Sequence, residues 1–199
     1  MAFINYKKKE VQAKIVYYGP GRGGKTTNLE YIHRQCRGRV DSDMVSIRTH
    51  GDRTLFFDFL PFDIGMVKGF NVRIQLYTVP GQVMYNATRR LVLKGTDGVV
   101  FVADSMSARR EHNFLSLKNL QENLAVYKKN ILQIPLVFQY NKRDVKDDPI
   151  LPLNIMETEL NSRLKAPYFE ASAKSGMNVI STLKAIISKT LISLEGELR

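Results

Sequence analysis

The chain has almost no cysteine and no long hydrophobic run. Its single cysteine, Cys36, cannot form an internal disulfide, which fits a reducing compartment and excludes a metal site built from several thiolates. The longest apolar stretches, such as Val99–Ala103, fall far short of the ~20 residues that a membrane-spanning helix needs. Position 2 is Ala2 rather than glycine, and no cysteine lies near Arg199. We therefore expect no export and no lipid anchor, and we place the chain in the cytoplasm.

The composition is that of an ordinary globular protein with an excess of positive charge. With 199 residues, 44% of them hydrophobic and 25% charged, we predict a single domain over residues 1–199. Thirty Lys and Arg against 19 Asp and Glu give a net charge of +11. The basic residues are dispersed and lack interleaved aromatics, so no specific nucleic-acid contact is predicted. The excess keeps open a second hypothesis, a basic module that recruits nucleic acid, ribosome or anionic membrane.

Apolar runs rich in β-branched and aromatic residues alternate with helix-like segments. This alternation is typical of an α/β protein with a mostly parallel sheet. We predict strands near residues 11–18, 55–60, 72–79, 98–104, 136–141 and 168–172, and helices over residues 26–35, 108–127, 154–163 and 178–194. The segment 61–69 is too short for a crossover helix, so the second and third strands should form an antiparallel hairpin at the edge of the sheet. A six-stranded, three-layer α/β/α architecture follows.

A glycine-rich segment directly follows the first predicted strand. It reads Gly19-Pro20-Gly21-Arg22-Gly23-Gly24-Lys25-Thr26-Thr27 and satisfies G-x-x-x-x-G-K-[ST] ahead of a helix. In such a loop successive N–H groups point at phosphate oxygens, Lys25 reaches the β and γ phosphates, and the Thr26 hydroxyl ligates Mg²⁺. The alternative is a glycine-rich turn that only caps a helix. The position between a strand and a helix favours the phosphate-binding loop, or P-loop.

Two later segments indicate a guanine base. Asn141-Lys142-Arg143-Asp144 falls at the carboxyl end of the fifth strand, where ligands bind in open α/β sheets. Asp144 can accept two hydrogen bonds from guanine N1–H and N2–H₂, Lys142 can lie along the base, and Asn141 can tie this loop to the P-loop. After the sixth strand, Ser172-Ala173-Lys174 offers the Ala173 N–H to guanine O6. An N-K-x-D segment alone is a weak signal, because Asn and Asp also cluster in surface turns.

With these motifs in this order, the chain resembles the Ras-like small GTPases over nearly its whole length. More narrowly, it is similar to the bacterial MglA-type GTPases. The narrower likeness rests on three segments: Tyr17-Tyr18-Gly19-Pro20-Gly21, Arg53–Pro61 and Thr78-Val79-Pro80-Gly81-Gln82. The resemblance implies a Ras-like P-loop GTPase fold that binds GTP or GDP with Mg²⁺. It also implies a regulatory switch that hydrolyses GTP to GDP and phosphate.

The resemblance assigns further roles in two switch loops. The Gly81 N–H would contact the γ phosphate, Gln82 would orient the attacking water, and Thr54 would join Thr26 at Mg²⁺. Most Ras-like proteins carry Asp at the position of Thr78, where that Asp holds Mg²⁺ through water, whereas MglA-type proteins share the Thr. A hydroxyl can bond such a water but contributes no charge, so we expect a lower Mg²⁺ affinity than in Ras.

The resemblance also implies regulation by a partner. An MglB-like roadblock protein would act as the GTPase-activating protein, with the second strand sliding along the sheet to carry Arg53 and Gln82 into place. An arginine at that point is worth ~10³–10⁵ in kcat, and hydrolysis without it should stay near ~10⁻⁴ s⁻¹. Arg48 is a nearby competitor, which we interpret as a solvated loop cation.

The resemblance also implies which process the switch controls, because MglA-type relatives set cell polarity and direct surface motility. Polarity and motility effectors would then dock on the switch loops of a chain that is a monomer on its own and is recruited to a cell pole through partners. The phenylalanine-rich strand Leu55–Leu60 could present apolar surface to a partner or pack alternate side chains into the core. In the second hypothesis, the basic module binds GTP but hardly hydrolyses it.

Overall fold

A mixed β-sheet forms the centre of the molecule. A computed structural model describes residues 3–36, 44–47 and 57–197. The strands in these residues are β1 (Phe3–Asn5), β2 (Glu10–Tyr18), β3 (Val45–Ile47), β4 (Phe57–Val67), β5 (Phe70–Thr78), β6 (Gly98–Asp104), β7 (Leu136–Asn141) and β8 (Tyr168–Glu170). They are ordered β3-β4-β5-β2-β6-β7-β8, and β1 pairs with β2. Strands β5, β2, β6, β7 and β8 run parallel, whereas β1–β2, β3–β4 and β4–β5 pair antiparallel.

Helices cover both faces of this sheet. They are α1 (Lys25–Gln35), α2 (Asn86–Leu93), α3 (Arg110–Val126), α4 (Leu153–Met156) and α5 (Val179–Glu197), with short 3₁₀ or π turns at Val83–Tyr85, Ser107–Arg109 and Glu157–Asn161. Helices α1 and α5 pack Leu29 and Ile186 into the core on one face. Helices α2 and α3 pack Leu93 and Leu120 on the other face. The three-layer α/β/α prediction is confirmed. Throughout the described ranges, every helix is too short or too polar to span a membrane.

The hairpin is longer than the sequence indicated. Segment 61–69 was expected to connect two strands, but β4 continues to Val67 and pairs with β5 through that last residue, with a register shift between Asp63 and Gly65. The turn is only Lys68 and Gly69, whose φ angles of 49° and 83° fit the two-residue turn that suits twisted hairpins. Pro61 is tolerated within β4 because the described part of β3 pairs only with Phe57–Phe59, which leaves the rest of β4 outermost.

All six predicted strands are present, and the mostly parallel sheet is confirmed. The structure adds β1 and β3, each of three residues, and both are too short to give a periodic signal. It also adds α2, a helix of eight residues that we did not predict. Strands β6 and β7 are buried along their full length, which is why they appear in the sequence as continuous hydrophobic runs.

The parallel strands position the functional loops. The segments that follow β2, β6, β7 and β8 all leave the same edge of the sheet, because parallel neighbours end on the same side. The P-loop follows β2, and the N-K-x-D segment follows β7. Segments separated by more than a hundred residues in the chain are thereby brought side by side.

A buried arginine anchors α2 beside this edge. Arg89 is fully buried, its guanidinium lies 4.3 Å from the ring centre of Tyr18, and it donates to Ser116 Oγ at 2.8 Å. Burial lowers the pKa of Arg89, while Tyr18 opposes that shift. The Tyr18 hydroxyl donates to Asn119 Oδ1 at 2.7 Å and accepts from Asn123 Nδ2 at 3.1 Å. These contacts join α2 and α3 to the end of β2.

Replacement of this arginine should destabilise the fold. Arg89→Ala removes a fully buried side chain and its stacking on Tyr18, so we expect a loss of about 2–4 kcal/mol in the free energy of unfolding. Urea unfolding in the presence of saturating GDP measures this loss of unfolding free energy. The control is Arg90→Ala, since Arg90 is exposed and makes one 3.3 Å bond to Asn123, and a loss below about 1 kcal/mol is expected. Equal losses in the two variants would contradict the anchoring role.

Candidate functional site

The glycine-rich segment forms a compact loop between β2 and α1. Gly24, the residue before α1, has a φ of 95°, and a Cβ there would overlap the amide of Asn141. Glycine is required at this position on both grounds. Gly24 offers no side chain to cap the amino terminus of α1, so the first N–H groups of the helix are directed to the space in front of the loop. This is the geometry that binds phosphate at a helix amino terminus.

The Lys25 ammonium lies inside the loop. Its Nζ donates to the carbonyl oxygens of Gly19 at 3.1 Å and Pro20 at 2.7 Å. Burial, followed by the positive charge of Arg89, lowers the pKa of Lys25 to about 7, although Asp58 opposes the shift. A nearby polyanion would favour the charged form and raise this pKa again.

A cleft of about 740 Å³ opens in front of the P-loop. It is lined by P-loop residues, by Asp58 and by the segment after β5, namely Gly21, Arg22, Gly23, Gly24, Lys25, Thr26, Thr27, Asp58, Thr78, Val79, Pro80, Gly81, Gln82, Met84 and Tyr85. Most of the predicted phosphate-binding residues therefore lie around one space. Gly19 and Pro20 contribute carbonyl groups to Lys25 instead of lining it.

Asp58 supplies a carboxylate that sequence reasoning did not anticipate. It is buried, and its Oδ2 accepts from Thr26 Oγ1 at 2.6 Å and from Thr78 Oγ1 at 2.9 Å. The Asp58 N–H in turn donates to Thr78 Oγ1 at 2.9 Å. Thr78 itself contributes no charge, but Asp58 of the neighbouring strand β4 places a carboxylate beside its hydroxyl. An acidic residue inside the apolar run of β4 was the signal that could have revealed it.

Carboxylate and hydroxyl oxygens are the ligands that Mg²⁺ prefers. Thr26, Thr78 and Asp58 together therefore fit this ion, with Thr26 as the predicted ligand. The other predicted ligand, Thr54, lies outside the described residues, as do Arg53, Arg48 and the first two residues of the phenylalanine-rich strand, Leu55 and Phe56. Of the rest of that strand, Phe59 packs on Tyr77 and Leu60 is fully buried.

The loop after β5 lies directly on the P-loop. A Cβ at Gly81 would overlap the Cα of Gly21, so only glycine permits this approach. The next residue, Gln82, is exposed and lines the cleft. The loop that contains Gly81 and Gln82 therefore borders the space at the Gly21 end of the P-loop.

The guanine-recognition residues line a second cleft of about 430 Å³. It contains Asn141, Lys142, Asp144, Ala173 and Lys174, and it shares Arg22, Gly24 and Thr27 with the first cleft. The two spaces thus adjoin along the P-loop, and the predicted roles of their residues make the first the phosphate end and the second the base end.

Asn141 connects three loops at the base end. Its Nδ2 donates to the Gly23 carbonyl at 2.8 Å, as predicted for a tie to the P-loop, and its Oδ1 accepts from the Ala173 N–H at 2.8 Å. The structure therefore engages that N–H with Asn141, which differs from the predicted donation to guanine O6. Ser172 is buried and does not line the cleft, because its Oγ accepts from the Ser175 N–H at 3.1 Å and shapes the turn.

The fold and this site define a P-loop nucleotide-binding protein with a guanine-recognition loop. Comparison with known proteins is in agreement. The Ras family profile matches residues 44–192. The chain is 49% identical over 195 residues to the mutual gliding-motility protein MglA of Myxococcus xanthus, covering 98% of each chain. It is 24% identical over 194 residues to the Ypt/Rab-type GTPase Rab7 of Gibberella zeae, covering 96% of this chain and 87% of that protein. The chain belongs to the Ras family of small GTPases and, within it, to the MglA type.

Asp58 should control the response to Mg²⁺. Asp58→Asn removes the charge while it keeps the side-chain shape, so we expect Mg²⁺ affinity to fall by about 10- to 100-fold. Release of a fluorescent GDP analogue, measured across a series of Mg²⁺ concentrations, gives the midpoint. Asp63→Asn is the matched control, since Asp63 lies farther along β4 and accepts from the Gly65 N–H. An unshifted midpoint in Asp58→Asn would contradict the assignment.

Nucleotide binding should take up a proton near Lys25. Because its pKa is about 7, most molecules carry the neutral amine at about pH 8, and bound phosphate restores the charge. Calorimetric titration of nucleotide-free protein with GDP, in buffers of different ionisation enthalpy, should show uptake approaching one proton at about pH 8 that falls away toward about pH 6. Burial also lowers the pKa of Lys14, but Lys14 lies in the middle of β2 and donates to the Lys94 carbonyl, away from both clefts, so Lys14→Ala should not change the uptake. Uptake that is independent of pH would refute the prediction.

Proposed function

We propose that this protein is a GTP-hydrolysing switch that acts in bacterial gliding motility and cell polarity. The observation that carries the proposal is the 49% identity with a mutual gliding-motility protein over 98% of both chains, together with adjoining phosphate and base clefts. In this proposal the G domain spans residues 1–199, is a monomer on its own in the cytoplasm, and reaches a cell pole through partners. Polarity and motility effectors bind the switch loops in one nucleotide state.

The chain's own residues hold the substrate in place. The P-loop N–H groups and the Lys25 ammonium bind the phosphates, and Asp144 with Lys142 selects guanine. Thr26, Thr78 and Asp58, with Thr54, would hold Mg²⁺, which neutralises phosphate charge when bound.

Hydrolysis depends on residues at the Gly21 end of the cleft. In the proposed mechanism Gln82 orients the attacking water and Gly81 responds to the γ phosphate. Arg53 neutralises charge that develops in the transition state. The close approach of Gly81 to Gly21 supports a coupling between the γ phosphate and the switch loop, because both use the same edge of the P-loop.

An MglB-like roadblock protein is the proposed activating partner. Support comes from the exposed position of Gln82 and from apolar side chains around it. Met84 is 78% exposed, and Leu115 of α3, which lines a cavity with Gln82, is 50% exposed. A partner seated here would cover apolar surface and reach the hydrolysis machinery together.

The experiment is single-turnover hydrolysis of GTP with and without a roadblock protein similar to MglB. The chain alone should turn over near ~10⁻⁴ s⁻¹, and the partner should raise the rate by ~10³-fold or more. Arg53→Ala should lose the stimulation while it keeps its affinity for GDP, and Arg48→Ala should keep both. Turnover of about 1 s⁻¹ by the chain alone would refute regulation by a partner. Equal affinity for GTP and ATP would refute the guanine-specific switch itself.

The basic-module hypothesis is the weaker one. The +11 charge remains its support, but the family relationship favours a switch. Retention of duplex DNA or anionic vesicles at physiological salt, with no stimulated hydrolysis, would reverse this preference.

A further inference from the structure

A buried carboxylate lies behind the P-loop, at the carboxyl end of β6. Asp104 is fully buried, and its Oδ1 accepts from the Met106 N–H at 3.1 Å. Its Oδ2 lies 2.7 Å from Lys142 Nζ and 3.9 Å from Arg109 Nε. This oxygen thus accepts a hydrogen bond from a lysine of the guanine-recognition loop, whereas the arginine of the turn before α3 lies within ion-pair distance but too far to hydrogen-bond to it. A buried charge of this kind is tolerated because it is paired.

The second partner of Asp104 reaches the P-loop. Arg109 donates from Nη2 to the Gly21 carbonyl at 2.8 Å, a hydrogen bond from a charged donor. Its side chain is 25% exposed and lines a cavity of about 520 Å³ together with Gly81 and Gln82. Arg109 therefore contacts the P-loop at the residue on which the switch loop rests.

The peptide that Arg109 holds is under conformational strain. The residue after Gly21 is Arg22, whose φ is 61°, and a side chain other than glycine costs about 1–2 kcal/mol in this left-handed region. Such a conformation persists only where surrounding contacts fix it. A charged hydrogen bond to the carbonyl directly before Arg22 is a contact of that type, and it keeps the Gly21 oxygen turned toward Arg109.

We propose that Arg109, through its hydrogen bond to the Gly21 carbonyl and with the charge of Asp104 nearby, is a positioning residue for GTP hydrolysis. It fixes the Gly21–Arg22 peptide, so that the P-loop presents a constant surface to the γ phosphate and to the Gly81–Gln82 segment. Because Asp104 also binds Lys142, its buried negative charge attracts cations of both the guanine loop and the hydrolysis end of the P-loop. The inference rests on the proposed function, since it assigns residues to that reaction.

The test compares Arg109→Ala and Arg109→Lys with a neighbouring control. Arg110 is adjacent in the chain, is exposed and pairs with Glu159, so Arg110→Ala removes an arginine without touching the site. In all variants we would measure GDP affinity, the preference for a slowly hydrolysed GTP analogue over GDP, thermal stability, and single-turnover hydrolysis with a roadblock partner.

Arg109→Ala should slow hydrolysis by about 10- to 100-fold, as misplacement of about an ångström does. The preference for the GTP analogue should fall by a comparable factor, whereas GDP affinity and thermal stability stay near those of Arg110→Ala. Arg109→Lys should recover part of the rate, because an ammonium can still donate to the Gly21 carbonyl but lacks the planar guanidinium that fixes the direction of that bond.

Two results would overturn the inference. One is hydrolysis by Arg109→Ala at the rate of Arg110→Ala. The other is a loss of GDP affinity and stability as large as the loss of rate, which would make Arg109 purely structural. If the wild-type chain itself hydrolyses no GTP with the partner, the proposed function fails, and the nucleotide preference of Arg109→Ala alone then decides the inference.

Discussion

The site depends on one buried amide. Asn141 donates to the P-loop at Gly23 and accepts from Ala173, so three loops that follow three different strands are held at fixed separations. Parallel pairing brings these loops to one edge of the sheet, but it does not fix their distances to within a hydrogen bond. The side chain of Asn141 does, because an amide offers a donor and an acceptor in one rigid plane. The phosphate end and the base end of the cleft are aligned through this contact.

Two buried carboxylates flank the P-loop, one on each side. Asp58 lies on the side of β4 and joins Thr26 to Thr78, while Asp104 lies on the side of β6 and joins Lys142 to Arg109. The Lys25 ammonium lies in the loop itself and is bonded to carbonyl oxygens. Charges with low exposure interact strongly, because little water screens them. The P-loop is therefore held from both sides by polar contacts in addition to its own hydrogen bonds.

The sequence predicted the parts of the fold and site whose signal is local. Strands β6 and β7 are continuous apolar runs, and the P-loop residues are contiguous, so both were accessible to pattern analysis. Helix α2 could not be found in this way, because it has only eight residues and one of them is Arg89. Arginine is expected on the surface, but Arg89 is fully buried here. Asp58 and Thr78 are twenty positions apart, and only antiparallel pairing brings them together. The contact between Arg109 and Gly21 spans 88 positions and belongs to no recognised motif.

The origin of the Asp58 carboxylate on a neighbouring strand has a consequence for measurement. Side chains on a strand alternate between faces, so a one-residue slip of β4 against β5 would turn Asp58 to the opposite face of the sheet, away from both threonines. In a protein with the acidic ligand in the loop after β5, metal affinity would not register such a slip. If Asp58 contributes to a magnesium site as proposed, the Mg²⁺ affinity of this protein also reports the register between β4 and β5.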